Sequence, residues 1–218
     1  MKIKVLVVDM DGAAVSYPNE PFHSSWDALA GVLPTDTKQK WFGIRDYYLE
    51  KGDPFYDEWF EKQVSFLRGI KLQEVEKILF PPPYSPGFVN FFKSVNGQYK
   101  KGILSSGLEL VAERIYKDLS FDFFSANPLE IYKGVFTGRG TNKIALLSKK
   151  GELEKISRSH KFDLKEVCFV GDSFNDIPVL ECVGLPIAFE PKSEEVASAA
   201  KYSISNFKEL KNILKNEY

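Results

Sequence analysis

The stretch VLVVDMDGAAV, residues 5–15, decides how the rest of the chain is read. Val5 to Val8 is a wholly apolar, β-branched run, the pattern of a strand buried on both faces. It ends in two carboxylates, Asp9 and Asp11, followed by Gly12. Repulsion and desolvation both oppose two like charges at the lip of a buried strand, unless a cation or a reaction needs them. An ordinary turn could use the pair as caps. An EF-hand loop is excluded, because the glycine comes too early and the acidic spacing is wrong.

Working outward, the pattern recurs. Val167–Val170 is a second apolar run that ends in acid, in GDSFNDIPVL from Gly171 to Leu180. Asp172 stands at the strand end, and Asp176 one helical turn later faces back to the strand tip. A third strand, Lys101–Leu104, runs into Ser105, Ser106 and Gly107, with a helix expected over 108–119. Further strands are expected near 121–125, 186–189 and 202–204, a loop or small hairpin over 131–140, and helices over 86–96, 144–159, 175–182, 194–200 and 207–216. Strands alternating with helices predict an α/β fold: a doubly wound, Rossmann-like parallel sheet that binds ligands at the carboxyl ends of its strands. Residues 16–80 read differently, aromatic-rich and helical around 24–32, 37–51, 56–68 and 72–79. Pro81-Pro82-Pro83-Tyr84 then stiffens the return. The expected division is a core of residues 1–15 and 81–218 with a helical cap domain, 16–80, inserted after the first strand.

Composition narrows the function classes. Hydrophobic residues make up 44% of the 218, enough for a large core. Twenty-nine basic against 30 acidic residues give a formal charge of -1, so no basic field for nucleic acid is expected. The charged tail 208–217 reads as an amphipathic terminal helix. Cys168 and Cys182 lack metal-ligand spacing and read as reduced thiols, and His23 and His160 share no zinc spacing. No apolar run is long enough for a membrane span, and the apolar start reaches an aspartate too early for a signal peptide. A cytoplasmic protein, monomer or homodimer, is expected.

Two acidic strand ends side by side would collect a hard divalent cation, and Mg²⁺ fits best because it takes few carboxylates and keeps its waters. Ser105 with helix N-terminal amides would seat a phosphate. Lys143, Lys149 or Lys150 could supply a point charge. Together these features suggest phosphoryl transfer, with Asp9 as the attacking carboxylate and Asp11 protonating the leaving oxygen, then taking a proton from water. The cap aromatics Trp41, Phe42, Tyr47, Tyr48, Trp59 and Phe60 read as helical core rather than pocket lining.

Asp9-Met10-Asp11-Gly12, Ser105, a lysine near 150 and Gly171–Asp176 resemble, in order and spacing, the four motifs of the haloacid dehalogenase superfamily of phosphatases. KGELEKI, FVGDSFNDIPVLECVGLPIAF and FTGRG are similar to its phosphoserine phosphatase branch. The resemblance implies a Mg²⁺-dependent phosphomonoesterase acting on a small phosphorylated metabolite through an aspartyl-phosphate, phosphoserine being the leading substrate. Sugar phosphates, phosphoglycolate, or a phosphomutase on the same scaffold are the alternatives; a dehalogenase would not need Asp11. It further implies catalytic Asp9, Asp11, Ser105 and Lys150, the last because Lys150-Gly151-Glu152 matches the family's Lys-Gly-Glu. The metal ligands would be Asp9, the Asp11 main-chain carbonyl and Asp172, with Asp176 supporting the metal's waters. Gly12, Ser106, Gly107 and Asn175 would contact substrate. Ser106 stands where the branch usually has glycine. Gln63 stands where that branch places an arginine for the substrate carboxylate, and Glu20 lies about two residues late for the glutamate that holds the amine. Arg45 and Arg68 are the substitutes the sequence offers.

Overall fold

The computed structural model describes residues 2–19, 23–51 and 53–217. Its strands are β1 (Val5–Val8), β2 (Lys100–Leu108), β3 (Phe123–Asn127), the hairpin β4 (Leu129–Tyr132) and β5 (Val135–Gly140), then β6 (Val167–Gly171), β7 (Leu185–Phe189) and β8 (Tyr202–Ile204). All except the hairpin form one parallel sheet in the order β3-β2-β1-β6-β7-β8. The order reverses direction between β1 and β6, where Val8 pairs with Val170. Asp9 and Asp172 therefore leave neighbouring strands at the switch point, the place where such sheets open a crevice.

Alternation sorts the strand side chains to two faces. Leu6, Val8, Ile103, Cys168, Val170 and Ile187 join one apolar cluster; Val5, Val7, Leu104, Phe169 and Ala188 join the other. Helices cover both. Four lie within residues 16–80: α1 (Ser25–Leu29), α2 (Thr35–Lys51), α3 (Tyr56–Ser65) and α4 (Leu72–Leu79). The remainder are α5 (Phe88–Ser94), α6 (Glu109–Leu119), α7 (Lys149–His160), α8 (Ile177–Leu180), α9 (Glu194–Ala199) and α10 (Phe207–Asn216). Among the described residues no helix is long and apolar enough to cross a membrane.

The chain leaves and re-enters the sheet region through paired connectors. The Ser16 amide donates to the Pro83 carbonyl at 2.9 Å and the Ser85 amide to Ala14 at 3.0 Å, with an antiparallel bridge between Val15 and Tyr84. The hairpin leans on the same helical segment. Phe136 exchanges backbone hydrogen bonds with Gly69 and Ile70, and Lys71 bridges Val135.

Several boundaries differ from those the sequence predicts. β2 does not stop at Leu104 but runs on through the two serines to Leu108, after a register shift against β3. Small polar residues there resemble a helix start, but the chain stays extended across the shift and pairs again at Leu108 with Asn127. The helix expected from 144 begins at Lys149, because Asn127 Oδ1 captures the amides of Lys143 and Ile144 at 2.9 and 2.8 Å and holds that approach irregular. The helix expected over 175–182 is a 3-10 turn, Phe174–Asp176, followed by α8.

Candidate active site

Asp9 extends the β1–β6 ladder by one step, its amide donating to the Val170 carbonyl at 2.8 Å. The chain then doubles back at once: the Gly12 amide reaches the Val15 carbonyl at 2.8 Å, with Gly12 at φ +88°. A Cβ on Gly12 would lie 2.0 Å from Asp172 Oδ2, so only glycine lets this loop pass the carboxylate. Gly107 does the same from β2, where a Cβ would meet Asp11 Oδ2 at 2.5 Å.

Four carboxylates converge. Asp9, Asp172 and Asp176 are 3%, 1% and 0% exposed, and each offers one oxygen within 4.8 Å of the others. Asp176 Oδ2 accepts from the amides of Asp172 (2.9 Å) and Ser173 (3.2 Å), which ties the acidic loop shut. Lys149 Nζ donates to Asp176 Oδ1 at 2.7 Å and lies 2.9 Å from Asp9 Oδ1. Lys192 Nζ lies 2.7 Å from Asp172 Oδ2. Asp11 is held by α1: the Ser25 amide donates to Oδ1 and the Ser25 hydroxyl to Oδ2, both at 2.8 Å.

The site lysine is thus Lys149 and not Lys150. α7 starts at Lys149, whose side chain is buried with Leu153 and Ser157 one and two turns on, whereas Lys150 is about 100° around the helix and exposed. Lys143 is also outside, 43% exposed and 3.9 Å from Glu152.

Burial sets the protonation preferences. Desolvation pushes Asp11 up to about 7 despite the two Ser25 hydrogen bonds. Desolvation and the Asp9 charge raise Asp176 to about 6 against Lys149, and raise Asp172 well above the usual carboxylate range. Burial works against the charge on Lys149, but Asp176 and Asp9 outweigh it and hold the ammonium above the usual lysine range.

The donor set fits a divalent cation. Four carboxylates face two ammonium groups, Lys149 and Lys192, so two negative charges remain when all are ionised. Asp172 Oδ1 is buried with no hydrogen-bond donor among the described residues. A buried anionic oxygen without a donor is costly unless a cation meets it, and all-oxygen ligation suits a hard ion.

Most of the remaining predicted residues that are described gather around the same cleft. Ser105 is buried, its hydroxyl accepting from the Gly107 amide at 3.0 Å. Asn175 Nδ2 donates to Ser106 Oγ at 3.4 Å. The cleft is lined by Asp9, Asp11, Ser105, Ser106, Gly107 and Asn175 at one end and by Gln63 and Arg45 farther out. Arg68 instead packs beside Gly138 of the hairpin, and Glu20 lies outside the described residues. Sequence reasoning missed Ser25, Trp26, Asn127 and Lys192. Trp26, Tyr56 and Asn127 all donate to the Ser106 carbonyl, at 3.1, 3.3 and 2.8 Å, and so fasten the helical segment to the end of β2. Trp59 and Phe60, read from sequence as helical core, line the cleft.

The profile of the haloacid dehalogenase-like hydrolase family matches residues 19–181. The chain belongs to the haloacid dehalogenase-like hydrolases. Among curated members, the phosphoserine phosphatase of Archaeoglobus fulgidus is 31% identical over 169 residues, 76% of this chain and 49% of that protein. That of Methanocaldococcus jannaschii is 30% identical over 136 residues, 62% of this chain and 64% of its own. The chain thus spans about half of the first relative and under two thirds of the second. A solved phosphoserine phosphatase, described as a phospho-aspartyl intermediate analogue, superposes with a TM-score of 0.77 at 26% identity, over 98% of this chain and 99% of that one. A haloacid dehalogenase family hydrolase from Salmonella enterica serovar Typhi shares the fold with a TM-score of 0.85 at 21% identity, over 100% of this chain and 73% of that one. Metal dependence is general in the haloacid dehalogenase-like phosphoserine phosphatases, and the acidic cluster of this chain is of the kind such a metal needs.

Proposed function

We propose that this hydrolase is a Mg²⁺-dependent phosphomonoesterase that cleaves a small phosphorylated metabolite through an aspartyl-phosphate. The observation that carries the reading is the convergence of Asp9, Asp172 and Asp176 within 4.8 Å at the switch point, with Asp11 beside them. Asp9 attacks phosphorus, an Asp9 O–P bond forms, and the bond to the ester oxygen breaks. Asp11, poised near neutrality, gives that oxygen its proton. The same carboxylate then takes a proton from water as the water oxygen attacks the aspartyl-phosphate, releasing phosphate and restoring Asp9.

Lys149 holds Asp9 in place and supplies positive charge behind it. The Ser105 hydroxyl and the Asn175 amide would grip the phosphoryl oxygens, and Gly12 and Gly107, whose own amides are taken by Val15 and Ser105, would leave room for them. Mg²⁺, held by Asp9, the Asp11 main-chain carbonyl and Asp172 with Asp176 behind, would supply charge neutralisation between two anions that otherwise repel. Residues 16–80 would act as a cap that excludes bulk water from the cleft. The relatives' name makes phosphoserine the first ester to test, and the reduced cysteines are in keeping with a cytoplasmic site of action. Asp9→Asn should abolish phosphate release from phenyl phosphate in Mg²⁺, because the amide cannot attack phosphorus. Turnover retained in that variant would refute the assignment.

A further inference from the structure

The chemistry above accounts for one end of the cleft. The other end is walled by Trp26, Tyr56, Trp59 and Phe60, with Leu49 and Leu146 completing it. Trp26 and Phe60 meet edge to face at 5.7 Å and 84°, and Tyr56 and Trp59 at 5.4 Å and 79°. Such contacts fix ring orientation. The polar atoms of these rings are engaged elsewhere. The Trp26 indole N–H and the Tyr56 hydroxyl both donate to the Ser106 carbonyl, and the Trp59 indole N–H donates to Gln63 Oε1 at 2.7 Å. The rings therefore offer the cleft hydrocarbon surface.

Among the described residues the charges at this end engage one another. Arg45 Nη1 lies 2.7 Å from Asp27 Oδ2, with side chains 13% and 3% exposed, and Arg45 Nη2 lies 2.7 Å from Asp46 Oδ1. Parting a nearly buried pair leaves one charge uncompensated. A substrate carboxylate would have to displace Asp27 from Arg45, and a substrate ammonium would have to displace Arg45 from Asp27. Gln63 is neutral. We infer that the alcohol half of the substrate is uncharged and apolar, so that the preferred substrate is the phosphate monoester of a ring-bearing or branched hydrocarbon alcohol. This rests on the phosphomonoesterase reading and names its substrate class.

The test compares phosphate release by the full chain in Mg²⁺ from 2-phenylethyl phosphate, O-phosphoserine and phosphocholine. All three release alcohols rather than phenols, so an activated leaving group does not set the ranking. Burying the phenyl ring should favour the first ester by about tenfold or more in kcat/KM. Trp59→Ala should shrink that ratio, mainly through KM. A preference for phosphoserine would mean that the Arg45–Asp27 pair opens for a zwitterion, and a preference for phosphocholine that the rings hold a cation; either overturns the inference, as does equal turnover. Binding of 2-phenylethylphosphonate, followed by tryptophan fluorescence, separates the two readings. No turnover of any ester, with this ligand still bound about tenfold more tightly than methylphosphonate, would sink the phosphatase reading and sustain the apolar site. Equal binding of the two phosphonates would sink the apolar site whatever the turnover.

Discussion

The two ends of the cleft are built by different means. At the phosphate end the carboxylates stand at the tips of parallel strands or in the loops just beyond them, Ser105 lies within β2 and Lys149 opens α7, and the β1–β6 register sets the spacing of Asp9 and Asp172. At the other end the walls come mostly from α1, α2 and α3, and Trp26 of α1 and Tyr56 of α3 are fastened to the Ser106 carbonyl. The first end is fixed by the sheet, and the second by a few long-range hydrogen bonds and ring contacts. On the proposed function, the chemistry is tied to the rigid scaffold and the selectivity to a layer that can vary without disturbing it.

If that contrast holds, the largest response should come from the lysine doublet. Lys149→Met removes an ammonium that pairs with both Asp9 and Asp176, leaving two buried carboxylates facing each other. A stability loss of about 3–5 kcal/mol is expected in urea unfolding without metal, together with near-complete loss of phosphate release. Lys150→Met, one residue on and exposed, should stay within about 0.5 kcal/mol and keep its turnover. Equal effects of the two substitutions would remove Lys149 from the site.

The same doublet shows what was legible in the sequence. The apolar runs 5–8 and 167–170 are unmistakable because a strand buried on both faces tolerates no polar residue, so the acids that end them stand out. A family motif alone could not choose between adjacent lysines. The helical phase could: Leu153 and Ile156, four and seven residues after Lys149, share its face and pack on the core, whereas Ile156 lies about 120° around the helix from Lys150. The Ser25–Asp11 and Trp26–Ser106 contacts carry no local signal, since they join residues 14 and 80 positions apart by packing that no periodicity records. The extension of β2 through Ser105 and Ser106 was hidden for a related reason: short polar residues look like a cap, and only the Leu108–Asn127 pairing beyond them carries the strand on.

A smaller response, again specific to the phosphate end, is expected from two glycines of similar backbone conformation. Gly12 has φ +88° and Gly69 φ +84°, but a Cβ at 69 meets nothing within 4 Å whereas one at 12 runs into Asp172. Gly69→Ala should cost about 1 kcal/mol from backbone strain alone. Gly12→Ala should cost roughly 1–3 kcal/mol more and weaken Mg²⁺ binding in a calorimetric titration, because Asp172 must turn away. Equal melting shifts and an unchanged metal titration would show that the loop passes Asp172 with room to spare.

The smallest effect is expected at the other end, from Gln63→Arg. Gln63 is 4% exposed and accepts from the Trp59 indole. A guanidinium there would break that bond and place an unmatched positive charge among aromatic walls, since Asp27 is already held by Arg45. The variant should therefore lose some stability and gain for phosphoserine what it loses for apolar esters. A charge-assisted hydrogen bond to the substrate carboxylate, less the desolvation of the guanidinium, is worth about 1 kcal/mol, or roughly a fivefold rise in kcat/KM for phosphoserine. The phosphate end should not notice: phosphate release from phenyl phosphate should change less than the ratio between the two alkyl esters does. If the substitution instead abolished turnover of every ester alike, the two ends would be one coupled unit, and the division between a sheet-fixed chemistry and a helix-borne selectivity would fail.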